Sequence, residues 1–261
     1  MAKRKNVYGE KPGVYTDDEL ILRIWDKEEI RMLMARRAFY QMNEQRRREL
    51  DELWVTGPEY RRTASFGRNW GWYVGMEEIA KYYVVAHNER MYAALREYNA
   101  QDPKVAVSRE NLGRGYMSAH PVGTPRVVIA GDRKTARGLW YSVGQETTGH
   151  PAGKSEAMWF SEIIAADLVR EEAGWKIWHI YFGNDVFFEA GTNENRQPVR
   201  LPAEEEWANK EFGTPTIPYL VHDKLFAWAD NYPPVPEPYQ TFDIRDSYAP
   251  EGHPGYREDC L

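Results

Sequence analysis

Cysteine is nearly absent from this chain: there is one, Cys260, in 261 residues. A disulfide framework within one chain and a cysteine-based metal site are thereby excluded. Long apolar runs are missing too; none approaches the roughly 18 residues that a membrane helix needs. The opening MAKRKN is basic, but no apolar signal segment follows it, so export is not expected and a cytoplasmic location fits. Positive charge is not in excess. The net charge of -6 and pI near 5.6 give no footprint for nucleic acid or an acidic membrane. The six histidines are scattered singly, without metal-ligand spacing. There is no GxGxxG after a strand, no GxxxxGK with a following Ser or Thr, no HExxH and no GxSxG. No cofactor or metal is therefore expected, and any chemistry must come from side chains alone.

What is present is a folded, aromatic-rich chain. Hydrophobic residues make up 42% and charged residues 28%, the balance of a globular protein. Aromatics reach 14%, with ten Trp and seventeen Tyr. Rings at that density either fill a core or wall a site for a flat, ring-bearing ligand.

The stretch that organises the chain runs from Pro125 to Asp185. It predicts three long antiparallel strands, turned at Ala130-Gly131-Asp132 and at Glu172-Ala173-Gly174. Tyr116 to Val122 reads as a further strand ahead of them. Upstream, Thr16-Asp17-Asp18-Glu19 has the form of a helix start. A longer helix is expected from Asp26 to Glu44, with Ile30, Leu33, Met34 and Phe39 on its apolar side. A short helix over 45–53 ends at Gly57-Pro58, and Thr63 to Phe66 suits a short strand. Gly67 to Gly75, GRNWGWYVG, reads as a tight loop carrying rings, followed by a helix from Met76 to Tyr98. Helices ahead of a run of strands predict an α+β fold with helices packed on one face of a curved sheet. Residues 16–190 are expected to form this domain. Residues 191–261, rich in proline and acids, are expected to wrap it or a neighbouring subunit, with one helical piece at 220–229.

Several side chains invite a functional reading. In the strand from Met158 to Arg170, Glu162 is the one carboxylate in an otherwise apolar row. His179 and Tyr181 share a row with Trp175 and Ile177 in the last strand. Arg36, Tyr40 and Asn43 fall on one helix face. His87 lies on an apolar stripe, the usual place of a satisfied core histidine. Asn69, Trp70, Trp72 and Trp140 are candidates for the walls of a ligand site.

Four patterns, in this order, resemble the nuclear transport factor 2-like superfamily, in particular its SnoaL-like branch. They are the helix IRMLMARRAFYQMNEQRRRELDELW, the glycine-bounded FGRNWGWYVGMEEIAKYY, the histidine strand and Gly-Asp turn of AHPVGTPRVVIAGDRKTARGLW, and the closing ADLVREEAGWKIWH. The resemblance covers roughly Asp26 to Asp185. It implies a cone-shaped α+β fold whose helices and curved sheet enclose a pocket, often in dimers or trimers. Members include cofactor-independent dehydratases, isomerases, cyclases, dehalogenases and aldolase-type lyases, and also non-catalytic binding modules. Several of the enzymes use a histidine on the strand before the Gly-Asp turn, which is His120 here. Its usual aspartate partner falls on Asn43, which cannot act as a base, and the Tyr and Asp frequent in the penultimate strand fall on Ile164 and Ala166.

The reading that follows is a cofactor-independent lyase for a hydrophobic, ring-bearing and aromatic small molecule. The reaction would be dehydration, or retro-aldol-type loss of a small carbonyl such as formaldehyde, as in sphingomonad lyases of the superfamily that act on diaryl compounds. His120, Tyr40, Glu162 and Asn43 are the catalytic candidates. His179, Tyr181, Arg37, Asn69, Trp70, Trp72 and Trp140 are the substrate-binding candidates. The alternatives are a non-catalytic binding or assembly module of the same fold, or an isomerase or cyclase. A homo-oligomer is expected, with no nucleic acid or membrane partner.

Overall fold

The computed structural model describes residues 15–114, 116–147, 157–191, 215–218 and 233–253. The basic N-terminus, the helical piece expected at 220–229, Tyr232 and Cys260 lie outside them.

One long helix, α1 (Asp17–Met42), opens the fold. Thr16 caps it: its hydroxyl accepts from the Glu19 backbone N–H, and the Glu19 carboxylate accepts from the Thr16 N–H. That reciprocal pair and three acids in the first turn make a strong start, so the helix runs through Asp26, where a second one was expected to begin. Phe39, placed by the sequence on the apolar side, is exposed. The helices α2 (Arg46–Leu53) and α3 (Pro58–Thr63) follow, the latter with proline at its first position, where no N–H is needed. The segment read as a ring-bearing loop is a hairpin: β1 (Ser65–Arg68) pairs antiparallel with β2 (Gly71–Val74). Next come α4 (Met76–Ala80), a π-helical turn over Lys81–Ala86, and α5 (His87–Gln101).

The sheet is then completed by β3 (Met117–Ala119), β4 (Gly123–Ile129), β5 (Thr135–Thr147), β6 (Ala157–Glu171), β7 (Gly174–Glu189) and β8 (Ile217–Pro218). The order is β3-β5-β6-β7-β1-β2-β8, with β4 also on β5, in a curved sheet that does not close on itself. Pairing is antiparallel except for β1 on β7, which is parallel. The predicted turns hold: β4 passes to β5 around Gly131, and β6 to β7 around Ala173.

Pairing register decides which side chains share a face, because partners across a ladder point the same way. Facing the helices are Trp140, Ile164, Ala166, Ile180, Phe182 and Phe66, packed on Ile30 and Met34 of α1, Leu50 and Leu53 of α2, Ile79 of α4 and the tyrosines of the π turn. Between Asp167 and Leu168 the β6–β7 register shifts, and Trp178 becomes the extra residue of a bulge. Alternation along β7 therefore changes sides. Trp175 and Ile177 face the helices, whereas His179 and Tyr181 face away, contrary to the single row expected from the sequence.

That second face is also covered. Residues 233–253 run across it: Tyr239 and Gln240 carbonyls accept from the N–H groups of Gly131 and Asp132, and the Tyr248 N–H donates to Asp167. Phe242 packs on Trp178 and His179, and His253 on Trp72. A sheet covered on both faces can bury charged groups on both, and this one does.

Candidate active site

The helix-facing surface of the sheet carries a buried chain of ionised groups. Glu162 sits in the apolar row of β6 with no exposed surface. Its ladder partner on β5 is Ser142, and two further steps along β5 bring Gly144 and then Glu146 to the same face. Glycine at 144 is a spatial requirement. A Cβ there would lie 2.0 Å from the Ala119 carbonyl and 2.4 Å from the Phe160 ring. Without it, β3 closes onto β5, and the next residue, His120, is laid over Phe160 with ring centroids 4.3 Å apart.

In that position both nitrogens of His120 meet carboxylates. Nδ1 is 2.7 Å from Glu162 Oε1, and Nε2 is 2.8 Å from Glu146 Oε1. A carboxylate is an acceptor only, so both ring nitrogens must donate and the ring is an imidazolium. Burial opposes that charge, but the two glutamates outweigh it and hold the His120 pKa above its ordinary value. Burial likewise favours neutral Glu146, yet the bond and charge of His120, with Arg68 and Arg90, pull its carboxyl well below the usual range. Arg68 completes the group. It is 3.9 Å from Glu162 Oε2 and lies over the Trp70 and Phe182 rings. Ser118 donates to Glu146 at 3.2 Å. Two cations and two anions are thus held together in low dielectric. Only Glu146 keeps a substantial exposed surface, 31% of its side chain against 3% for His120 and none for Glu162.

Other expected site residues lie near this group or apart from it. Trp140 is on the same face, in the core. Trp70 and Asn69 form the tight turn between β1 and β2, both buried, with the Trp70 N–H donating to Tyr73. Arg37 is fully buried, its guanidinium 4.5 Å from the Phe182 ring that Arg68 also approaches, and it is bound to Glu49, Gln41 and Tyr83. Tyr40, a catalytic candidate with His120, instead donates to Glu52 on α2 at 2.5 Å, with Arg48 over its ring. It shares no partner with His120. Asn43 is the exposed C-cap of α1, its amide donating to the Phe39 carbonyl. His179, Tyr181 and Trp72 occupy the opposite face: His179 is bonded to Asp167, and Tyr181 packs on Trp72. The β7 bulge is the physical reason for the placement of His179 and Tyr181; Trp72 follows from its pairing with Gly67 on β1. His87 is a satisfied core histidine, bonded by Glu44 and Arg90.

Glu146 and Arg68 were not among the expected residues. Glu146 follows from extending the inward row of Trp140, Ser142 and Gly144 past Val143, where the aromatic run of that strand ends. Arg68 lay hidden in a segment whose glycines suggested a loop.

Among the described residues, no three His, Cys, Asp or Glu side chains converge as metal ligands, and no helix is long and apolar enough to cross a membrane. Glu146, His120 and Glu162 are strung in line through the two ring nitrogens and do not surround a point.

The model of the SnoaL-like domain family matches residues 22–181, well over half of the chain. This chain belongs to the SnoaL-like domain family. With it comes membership of the nuclear transport factor 2-like superfamily. Solved structures similar to this SnoaL-like chain include a nuclear transport factor 2-like protein with a cystatin-like fold from Novosphingobium aromaticivorans, at 19% identity and TM-score 0.41, covering 66% of this chain and 92% of that one. A protein described as a putative aromatic ring hydroxylase, from the same organism, matches at 17% and 0.42, covering 64% and 94%. The hexachlorocyclohexane dehydrochlorinase LinA-type3 from Novosphingobium barchaimii matches at 12% and 0.44, covering 68% and 99%. No protein with a curated description matches.

Proposed function

We propose that this SnoaL-like chain is a cofactor-independent lyase for a hydrophobic, ring-bearing small molecule, aromatic in the first instance. The observation that carries the reading is His120 held at both nitrogens by buried or half-buried carboxylates. Burying four ionised groups together is costly unless the arrangement is fully paired, and buried groups with shifted pKa values cluster at functional sites.

The cluster is a proton relay with one open end. Glu146, the part-exposed member, is the base; its lowered pKa keeps it ionised and free to accept, and makes it a weaker base than a free glutamate. In dehydration it takes a proton from the carbon beside the leaving group. The C–O bond breaks, and the departing hydroxyl takes the Nε2 proton of the His120 imidazolium, leaving as water. Glu146 then returns its proton to His120 across their 2.8 Å bond, and the site is restored. In retro-aldol cleavage Glu146 takes the hydroxyl proton, the C–C bond breaks to release a small carbonyl, and the remaining carbanion is protonated by His120. The same return step follows. Glu162 and Arg68 keep the imidazole charged and aligned, and the buried Trp70, Phe182 and Trp140 rings make the surroundings of the relay apolar, which strengthens its charge interactions.

The test is a mass-spectrometric screen of the purified protein, without added cofactor, against hydroxylated aromatic compounds. Loss of water or of formaldehyde from one of them is expected. His120→Ala should then lower turnover roughly 10²–10⁴-fold with the fold intact. Near-wild-type turnover in that variant removes His120 from the reaction.

A further inference from the structure

We propose that the outward face of α1 is a self-association surface, on which two copies of this chain pair their first helices antiparallel about Met32. The helix is apolar on two opposite sides. Its inward side, Ile30 and Met34 among them, packs in the core. Directly opposite, at 4-3 spacing, stand Ile21, Trp25, Glu28, Met32, Ala35, Phe39 and Met42. Ile21, Trp25, Met32 and Phe39 are 62%, 65%, 61% and 61% exposed, and Leu22, Ile24 and Met42 are exposed beside them. A helix that is apolar on both sides needs a partner on each, and this spacing is the seam of a helix pair.

The size fits. Twenty-six residues make a helix about 39 Å long. At about two-thirds exposure Trp25 alone offers on the order of 150 Å². Seven such side chains approach the ~800 Å² per partner of a stable interface, well beyond the scattered apolar surface of a monomer.

The pattern also names the occupant. It is nearly palindromic about Met32. In an antiparallel pair centred there, Trp25 of each copy meets Phe39 of the other, Met32 meets Met32, and the Ile21 end lies against the Met42 end. The one charge in the stripe, Glu28, comes opposite Arg36. Both are at least half-exposed; Glu28 is paired with Arg31 at 2.7 Å on its own helix, and Arg36 is held only by a 3.8 Å contact to Glu52. A two-fold axis makes every such contact twice, so each Glu28 gains Arg36 of the other copy beside its own Arg31. A second copy of this chain satisfies both the apolar and the charged parts of the face.

Sedimentation equilibrium on the full chain tests this, with circular dichroism to confirm folding of each variant. Twice the chain mass is expected at micromolar concentration. Trp25→Glu and Phe39→Glu should each shift the protein to single-chain mass. Glu28→Arg should weaken the dimer at least tenfold in dissociation constant, and Glu28→Arg with Arg36→Glu should restore it. Met32→Cys in a Cys260→Ser background should form a covalent dimer under mild oxidation, because the two-fold axis passes beside residue 32. A monomeric wild-type chain overturns the proposal, including the case where a segment of the same chain covers the stripe. A dimer indifferent to Trp25→Glu and Phe39→Glu also overturns it, since it uses another face. If the glutamate variants fail to fold, the charge-reversal pair decides alone: no rescue means no antiparallel α1 pairing.

Discussion

His120 Nδ1 lies 2.7 Å from Oε1 of Glu162, a carboxylate 42 residues away with no exposed surface. That contact sets the charge state of the site. His120 is held above its ordinary pKa, so the paired imidazolium contributes stability fully below about pH 6.5, the value of a free histidine, and loses it as pH rises through the folded-state value. Glu162→Gln keeps the shape and removes the charge. The basic limb of the pH–rate profile should move to lower pH in that variant, and the loss of stability on the alkaline side should begin earlier. A limb that stays in place would show that Glu162 does not govern His120.

Glu146 is the proton acceptor of the proposed relay, so Glu146→Gln should reduce kcat by roughly 10²–10⁴-fold while KM changes little. Glu146→Asp should recover part of the loss. Steady-state kinetics on the substrate found by the screen measures both. Equal activity of the Gln variant and wild type would leave the relay without its open end.

Gly144 lets the Ala119 carbonyl approach β5 and so seats His120. Gly144→Val should displace β3 and disconnect His120 from Glu146. The expected result is a loss of activity comparable to His120→Ala at only modest cost in thermal stability, because β3 lies at the sheet edge. Thermal unfolding beside turnover separates the two effects.

His87 behaves oppositely to His120. Its Nε2 faces Glu44 and its Nδ1 accepts from Arg90, the pattern of a neutral ring. Burial and Arg46 push its pKa down to about 4. A depressed pKa gives stability present above about pH 6.5 and lost as pH falls toward 4, up to ~3 kcal/mol in all. His87→Gln should flatten the acid side of the stability–pH curve measured by urea unfolding between pH 4 and 7.

Asp167 joins the second face of the sheet to the segment that covers it. It accepts from the Tyr248 N–H at 2.7 Å, binds His179 at 3.0 Å and faces Arg137 at 3.6 Å. Asp167→Ala leaves the buried Arg137 without its anion and should cost ~3–5 kcal/mol. Limited proteolysis should then cut within 233–253 faster than in wild type. Unchanged protection of that segment would show that it is held without Asp167.

Most helices and strands of this protein were legible in its sequence, because each announces itself locally; α3, which begins where Gly57-Pro58 was read as a stop, was not. Thr16 and Glu19 form a capping box three residues apart, the Ala-Gly turns stop strands where they stand, and the strands carry Val, Ile and Trp in runs. Glu162 was legible for the same reason, as one carboxylate breaking a row of period two. The SnoaL-like fold followed from the order of such signals.

What tertiary structure decided is everything that depends on register and on which chain lies against which. A single bulge at Trp178 moved His179 and Tyr181 to the far face, and no local pattern marks a bulge whose cause is the neighbouring strand. Tyr40 turned to Glu52 because α2 folds back beside α1. The partners of His120 are fixed by two separate ladders and by the absence of one Cβ at Gly144. Local propensity chooses the elements over a few residues, but the charge and direction of a buried side chain are set by groups tens of residues away. Those meet only when the sheet is assembled.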